Sequence, residues 1–383
     1  MKNIEIPFAR PLINDDERNI VNDVLKGHVL THGSHCKSFE KNFGNFHHSS
    51  YAVTLSNCTS ALFLSLKFLN IAAGDEVIVP AMTHVATAHC VLHTGAKVIF
   101  ADIENKTGNI DPNEIEKKIS KKTKAIIIVH FVGLPCNIDR IFDIVKNRNI
   151  SLIEDCAAAL GAKFNDKLVG TFGIAGCFSF YPTKHITTME GGMLISKNEK
   201  MTNYVKKISA FGYSKNFEDR AIPGIYEIDA LGYNFRMSEV SAAIGNEQLK
   251  KLNIFNSKRR NNAKIIRNKL KLLNKIYILP EIDGKSISSN FCVNIILKEG
   301  SYERRNKIIL KLKEKNIGTS VHYPLCLPLS NYYQKYFKDN NDNFHVAEHF
   351  ANNTISLPCG PHLTEDDMDY MCNIITNVIK GDD

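Results

Sequence analysis

Short apolar runs recur through the first two hundred residues, and stretches of helical spacing separate them. The runs are YAVTLSN (51–57), EVIVP (76–80), KVIFAD (97–102), KAIIIVH (124–130), Ile150 to Ile153, Cys177 to Tyr181 and Met193 to Ile195. Runs this short, bounded by Gly and polar residues, read as buried strands. CTSALFLSLKFLN, AMTHVATAHCVLHTG and a Lys-rich segment before Lys124 read as the helices between them. Alternation of this kind predicts an α/β fold with mainly parallel strands and right-handed crossovers. Ligands of such a sheet gather at the C-terminal ends of its strands. Ser56, Asp155 and Lys184 all fall at such ends.

The densest stretch is 150–196. One apolar run ends in Glu154 and Asp155, the next leads through Ser179 to Lys184, and Gly191-Gly192 opens the third. An acid at one strand end and a lysine in the loop after another can converge at one edge of the sheet. That pair suits an aldehyde cofactor: the amine forms a Schiff base, and the acid keeps a pyridine nitrogen protonated. Ser56-Asn57-Cys58-Thr59-Ser60 sets small polar residues at a helix N-terminus, where free N–H groups and the helix dipole favour an anion. Taken singly, a surface lysine, a capping aspartate and a plain N-cap explain the same residues.

No GxxxxGK[ST] occurs, so the anion site is not a Walker-type loop. The net charge of +8 is spread out, and no basic helix carries interleaved aromatics, which argues against nucleic acid and leaves room for an anionic metabolite. Ten cysteines without CxxC spacing read as reduced, buried thiols of a cytoplasmic protein. MKNIEIPFARPLIN has no signal-peptide core, and no apolar run reaches membrane-spanning length. In HVAEH the glutamate position of HExxH is Val346, and His32 and His35 have no third ligand nearby, so no metal is expected.

EDCAAALGA, GTFGIAGCFSFYPTKHITTMEGG and LGYNFRMSEVSAAIGNEQLKKL, in this order, resemble the DegT/DnrJ/EryC1/StrS family. The likeness covers nearly the whole chain and is weakest after residue 260. It implies the pyridoxal-phosphate (PLP) transferase fold type I, aspartate-aminotransferase-like. In that fold a large domain with a mainly parallel sheet is joined to a smaller C-terminal α/β domain. The expected division is 1–250, including an N-terminal arm, and 251–383. The resemblance makes Lys184 and Asp155 catalytic, with Thr59, Ser60 and Ser179 on the PLP phosphate. Asn234, in GYN, is expected to reach the partner subunit's PLP phosphate, which implies a homodimer with shared sites. THGSH (31–35) is read as a turn near the substrate mouth, and residues 212–232 as a mobile loop near the site.

Several positions depart from the family pattern. His84 stands where the family has an aromatic that stacks on the cofactor ring. Ala158 stands where a side chain usually meets the cofactor's phenolic oxygen. His322 and Tyr323 match the start of a His-Tyr-Pro substrate loop, but its later histidine is replaced by Cys326 and Leu327. A dehydratase branch has histidine in the lysine position; here Lys184 is kept and His185 follows it as a candidate lining residue.

The function implied is a PLP-dependent aminotransferase. It would move an amino group from L-glutamate to a nucleotide-linked keto-deoxysugar, in amino-sugar biosynthesis for surface polysaccharide or O-antigen. The alternatives are a PLP-dependent sugar dehydratase, a non-catalytic sensor or regulatory protein on the same fold, and an amino-acid transaminase.

Overall fold

The computed structural model describes residues 5–48, 51–214, 222, 224–335 and 343–381. Part of the loop expected at 212–232 lies outside them.

The strands are β1 (Tyr51–Leu55), β2 (Glu76–Pro80), β3 (Lys97–Ala101), β4 (Thr123–Val129), β5 (Ser151–Asp155), β6 (Lys163–Phe164), β7 (Lys167–Leu168), β8 (Ala175–Ser179), β9 (Gly192–Ser196), β10 (Ile276–Ile278), β11 (Ile282–Asp283), β12 (Ser286–Ile287), β13 (Val293–Leu297) and β14 (Thr354–Leu357). The helices used below are α1 (Asp15–Lys26), α2 (Ser34–Phe46), α3 (Cys58–Phe68) and α4 (Val85–Leu92), followed by α5 (Pro112–Lys118), α6 (Ile138–Val145), α7 (Glu199–Ile208) and α8 (Glu239–Leu270).

The main sheet has seven strands in the order β1-β9-β8-β5-β4-β2-β3. Only β9 runs against the rest, antiparallel to both β1 and β8. The other pairings, β2 with β3 and β4, β4 with β5, and β5 with β8, are parallel. The α/β expectation therefore holds, and the C-terminal ends of β1, β5 and β8 share one edge.

Local chemistry explains the helices that flank this edge. Ala61 to Leu66 of α3 are all buried, as a helix that is apolar on every side requires. α6 buries Ile138, Ile141, Ile144 and Val145 on one stripe. Ser238 caps α8 by accepting from Ser241 N–H, and Asn14 forms a capping box with Glu17 on α1.

Two local readings are corrected. THGSH is not wholly a turn, because α2 starts at Ser34. Gly33 offers no capping side chain, so the buried Glu239 carboxylate accepts from the N–H groups of Gly33, His35 and Cys36 instead. The helix after β2 starts at Val85, not Ala81; His84 is its cap.

The C-terminal part holds the antiparallel sheet β10-β13-β14. A further small sheet, β11-β12-β6-β7, pairs Ser286 and Ile287 with Phe164 and Lys163 and so ties the two parts together. The position 250/251 lies inside α8. The N-terminal arm joins the C-terminal core: Ile6 is buried with Val293, Ile317 and Ile355 and bridges to Ile317.

Candidate active site

Asp155 is the last residue of β5 and is buried. Its Oδ2 accepts from the Thr87 hydroxyl at 2.9 Å, and its Oδ1 accepts from Ala157 N–H at 3.0 Å. Glu154, its neighbour, faces the other way, as successive strand residues must. It is fully buried and accepts from Gly170, Phe172 and Gly173 N–H at 2.7–2.8 Å. It also accepts from His130 Nε2 at 3.1 Å, because His130 Nδ1 is occupied as the acceptor of Cys136 N–H. Glu154 therefore holds the loop before β8 and takes no part in the site. His130, Glu154 and Cys156 are close enough to share a metal, but these bonds already engage the histidine and the carboxylate.

Lys184 lies in the loop between β8 and β9. Its amine is 4.7 Å from the centre of the Phe291 ring. Burial pushes its pKa down, and the Asp155 charge opposes that shift. Arg259, buried on α8, donates to the carbonyl of Phe291 at 3.0 Å and to that of Lys184 at 3.5 Å. The glycine pair at the start of β9 has a steric reason: a Cβ on Gly192 would lie 2.3 Å from the carbonyl carbon of Asn57. That close approach sets the start of β9 against the N-terminus of α3.

At that N-terminus Asn57 is the cap. Its Oδ1 accepts from Ser60 N–H at 2.8 Å and from the Ser60 hydroxyl at 2.9 Å. Ser60 is buried, so both of its donors are already committed. The half-buried Thr59, one residue earlier, carries the hydroxyl better placed to meet an anion. Ser179 ends β8, where its Oγ accepts from Tyr181 N–H at 3.4 Å.

His84 is exposed at the start of α4, and its Nδ1 accepts from Ala86 N–H at 3.2 Å. Its ring meets Tyr323 edge-on at 6.2 Å. Tyr323 also packs on Phe131, and burial followed by the Asp155 charge raises its pKa. His322 pairs its Nδ1 with Ser356 Oγ at 3.0 Å and stacks on Phe8 of the arm at 5.6 Å, and its ring also meets Phe291 edge-on at 5.3 Å. Burial pushes its pKa down to about 3, so it is neutral. His185 is buried. Its Nε2 donates to the Ser289 carbonyl at 3.3 Å, and burial, then the Arg259 charge, holds its pKa well below the usual histidine range. Asn234 is exposed and accepts from Arg236 Nε at 3.0 Å; Arg236 Nη1 lies 3.1 Å from His32 Nε2. Ala158 is buried, and its carbonyl accepts from Ser289 Oγ at 3.3 Å.

The DegT/DnrJ/EryC1/StrS aminotransferase family profile matches residues 11–376. The chain belongs to that family. GDP-perosamine synthase of Escherichia coli O157:H7 is 36% identical over 373 residues, which cover 97% of each chain. The Helicobacter pylori aminotransferase PseC, involved in the biosynthesis of pseudoaminic acid, matches in structure with a TM-score of 0.91 at 29% identity, over 98% of this chain and 100% of its own. The E. coli GDP-4-keto-6-deoxy-D-mannose-3-dehydratase with bound hydrated PLP matches with a TM-score of 0.89 at 30% identity, over 97% of this chain and 99% of its own. The family thus spans both of the chemistries that the sequence leaves in competition.

The donor set fits the cofactor of these relatives. A buried amine of lowered proton affinity, a strand-end carboxylate with lone pairs to spare, and a helix N-terminus with the Thr59 hydroxyl are the groups that a pyridine aldehyde phosphate needs. Four residues of this setting are absent from the sequence reading: Thr83, Thr87, Phe291 and Arg259. Thr83 and Thr87 carried a signal, four apart in THVAT. Phe291 and Arg259 carried none, since their contacts with Lys184 span long separations in sequence.

Proposed function

We propose that this protein is a PLP-dependent aminotransferase that moves an amino group from L-glutamate to the keto carbon of a nucleotide-linked deoxysugar. The observation that carries the reading is Lys184, its buried amine held over Phe291 and subject to the charge of Asp155. PLP would supply an electron-withdrawing ring that makes a proton on the amine-bearing carbon acidic. Lys184 Nζ, whose hold on a proton is weakened by burial, takes that proton and returns it on the other side of the exchange. Asp155 holds the proton of the ring nitrogen. Thr59 and the α3 N–H groups hold the phosphate, with Ser179 beside them. His84 and Tyr323 meet edge-on beside this site.

The dehydratase reading needs a histidine base at the position of Lys184. His185 does not replace it, since its Nε2 is bonded to Ser289 and the ring is buried and neutral. Retention of Lys184 and Asp155 also separates the chain from a regulatory protein without catalysis. Among the described residues no helix is long and apolar enough to cross a membrane, and all ten cysteines are free and buried. These facts support a cytoplasmic enzyme. Exposed Asn234 and its neighbour Leu231, 87% exposed, support a homodimer that covers them. The proposed division into domains follows the sequence expectation, with α8 as the connecting rod.

The test starts from the amine form of the cofactor, made with glutamate. Candidate 3-keto and 4-keto nucleotide sugars are added singly, and return of the aldehyde absorbance is followed. Return with a nucleotide sugar, and an amino sugar in the product, supports the reading. Return only with a plain 2-keto acid makes the protein an amino-acid transaminase instead.

A further inference from the structure

Thr83 and Thr87 are both buried, Thr87 completely. Their hydroxyl oxygens are 2.9 Å apart, and the Thr87 hydroxyl is 2.9 Å from Asp155 Oδ2. A carboxylate can only accept, so the Thr87 proton points at Asp155. The Thr87 oxygen must then accept from Thr83, which fixes the direction of the chain as Thr83 to Thr87 to Asp155. A helical threonine commonly turns its hydroxyl back on its own helix. Here it reaches across 68 residues of sequence to the end of β5. Valine has the same shape and no hydroxyl to bury. Two buried hydroxyls in place of two valines are costly unless their bonds are used.

The two bonds to Asp155 have separate tasks. Ala157 N–H fixes Oδ1 from its own turn, and Thr87 fixes Oδ2 from α4. Together they set the plane of the carboxylate and leave its remaining lone pairs for a ligand. Resting on the PLP reading, we propose that Thr87, oriented by Thr83, is a positioning residue that keeps the Asp155 carboxylate aimed at the protonated ring nitrogen of the cofactor.

The experiment uses full-length holoenzyme of the wild type, Thr87→Val, Thr87→Ser and Thr83→Val. PLP retention is measured by dialysis, and the visible band of lysine-bound PLP is titrated with pH. A hydrogen bond to a charged group contributes enough that Thr87→Val is expected to retain PLP about tenfold less tightly. Its band midpoint is expected to move to higher pH, because a ring nitrogen that holds its proton less firmly draws fewer electrons from the lysine-bound carbon. Thr87→Ser keeps the hydroxyl and is expected to restore both. Thr83→Val should shift both in the same direction by less, and it decides the matter if Thr87→Val fails to fold. Wild-type retention and midpoint in the folded valine variants overturn the inference alone. A wild type that binds no PLP overturns the functional reading with it.

Discussion

The Lys184 amine lies 4.7 Å from the centre of the Phe291 ring, and one guanidinium, that of Arg259, bonds the backbone carbonyls of both residues. An amine over a ring face is attracted as a cation, while burial disfavours its charge. Burial wins, because the amine's pKa is lowered. The unfolded chain therefore holds a proton on this lysine over an alkaline range where the folded chain does not. By linkage, the cost to stability is complete below the folded pKa and fades as pH rises toward the ordinary value of about 10.4. In the apoprotein, Lys184→Met is expected to be more stable than wild type near neutral pH, with the gap closing toward pH 10. Urea unfolding across that range measures it; a gap that widens with pH contradicts the assignment.

Lys184 is also the residue expected to carry PLP. Borohydride should fix the cofactor to the peptide containing Lys184, and Lys184→Ala should lose roughly 10²–10⁴-fold in turnover, as removal of a proton-transfer group does. Label on another lysine in peptide mapping would be decisive against the site.

Arg259 is expected to matter for rate more than for folding. Methionine removes a costly buried charge but leaves two carbonyls without their donor, so the two effects on stability partly offset. The two carbonyl bonds of Arg259 nevertheless fix the loop that carries Lys184. Arg259→Met should keep its melting temperature within a few degrees and lower kcat roughly tenfold, the worth of one or two hydrogen bonds from a charged donor. Arg259→Lys should not rescue it, since an ammonium lacks the planar fork. A change confined to KM would show that Arg259 meets substrate rather than the lysine loop.

What was legible in the sequence divides by distance along the chain. Asp155, Ser179 and Lys184 stand at the ends of apolar runs, and strand period and length suffice to put them at one edge. Helix α2 is hard to read although Cys36, Phe39 and Phe43 have helical spacing, because Gly33 has no capping side chain and the capping carboxylate comes from Glu239, 206 residues away. Glu154 and Asp155, adjacent on β5, face opposite sides, so only Asp155 belongs to the site. Thr87 and Arg259 act through partners 68 and 75 residues away, and periodicity gives the face of an element, not the residue opposite it.

Acid should destabilise the fold through its neutral histidines. His47 and His185 are both buried, with burial the leading cause of their lowered pKa; that of His47 is pushed down to about 4. Each takes up a proton on unfolding once the pH is below the ordinary histidine value of about 6.5. Their stabilisation is thus complete above that pH and is lost as pH falls toward the folded values. Each should contribute about 1.4 kcal/mol per pH unit in that window. His47→Phe, a ring of similar size among Phe43, Phe46 and Phe178, should flatten the pH dependence between 6 and 5 by one proton's worth. An unchanged slope in urea titrations at the two pH values would exclude His47 as a contributor.

The final expectation concerns shared sites. In one protomer Asn234 is exposed, and its Oδ1 is bonded to the half-buried neighbour Arg236 rather than to any group around Lys184. Arg236 in turn stands over the Phe211 ring at 4.9 Å and near His32, so the patch is ordered without a ligand of its own chain. Leu231, three residues before Asn234, is 87% exposed, an arrangement that a second subunit would cover. If Asn234 serves the partner's phosphate site, a Lys184→Ala subunit and an Asn234→Ala subunit complement each other. Each homodimer has two damaged sites, whereas the mixed dimer has one site with both lesions and one with neither. Random reassortment of equal amounts makes about half of the dimers mixed, so activity should recover to about one quarter of the wild type. Native mass spectrometry verifies that mixing has occurred. Mixed dimers that remain inactive would show that each subunit completes its own site, and Asn234 would then be a turn residue held by Arg236.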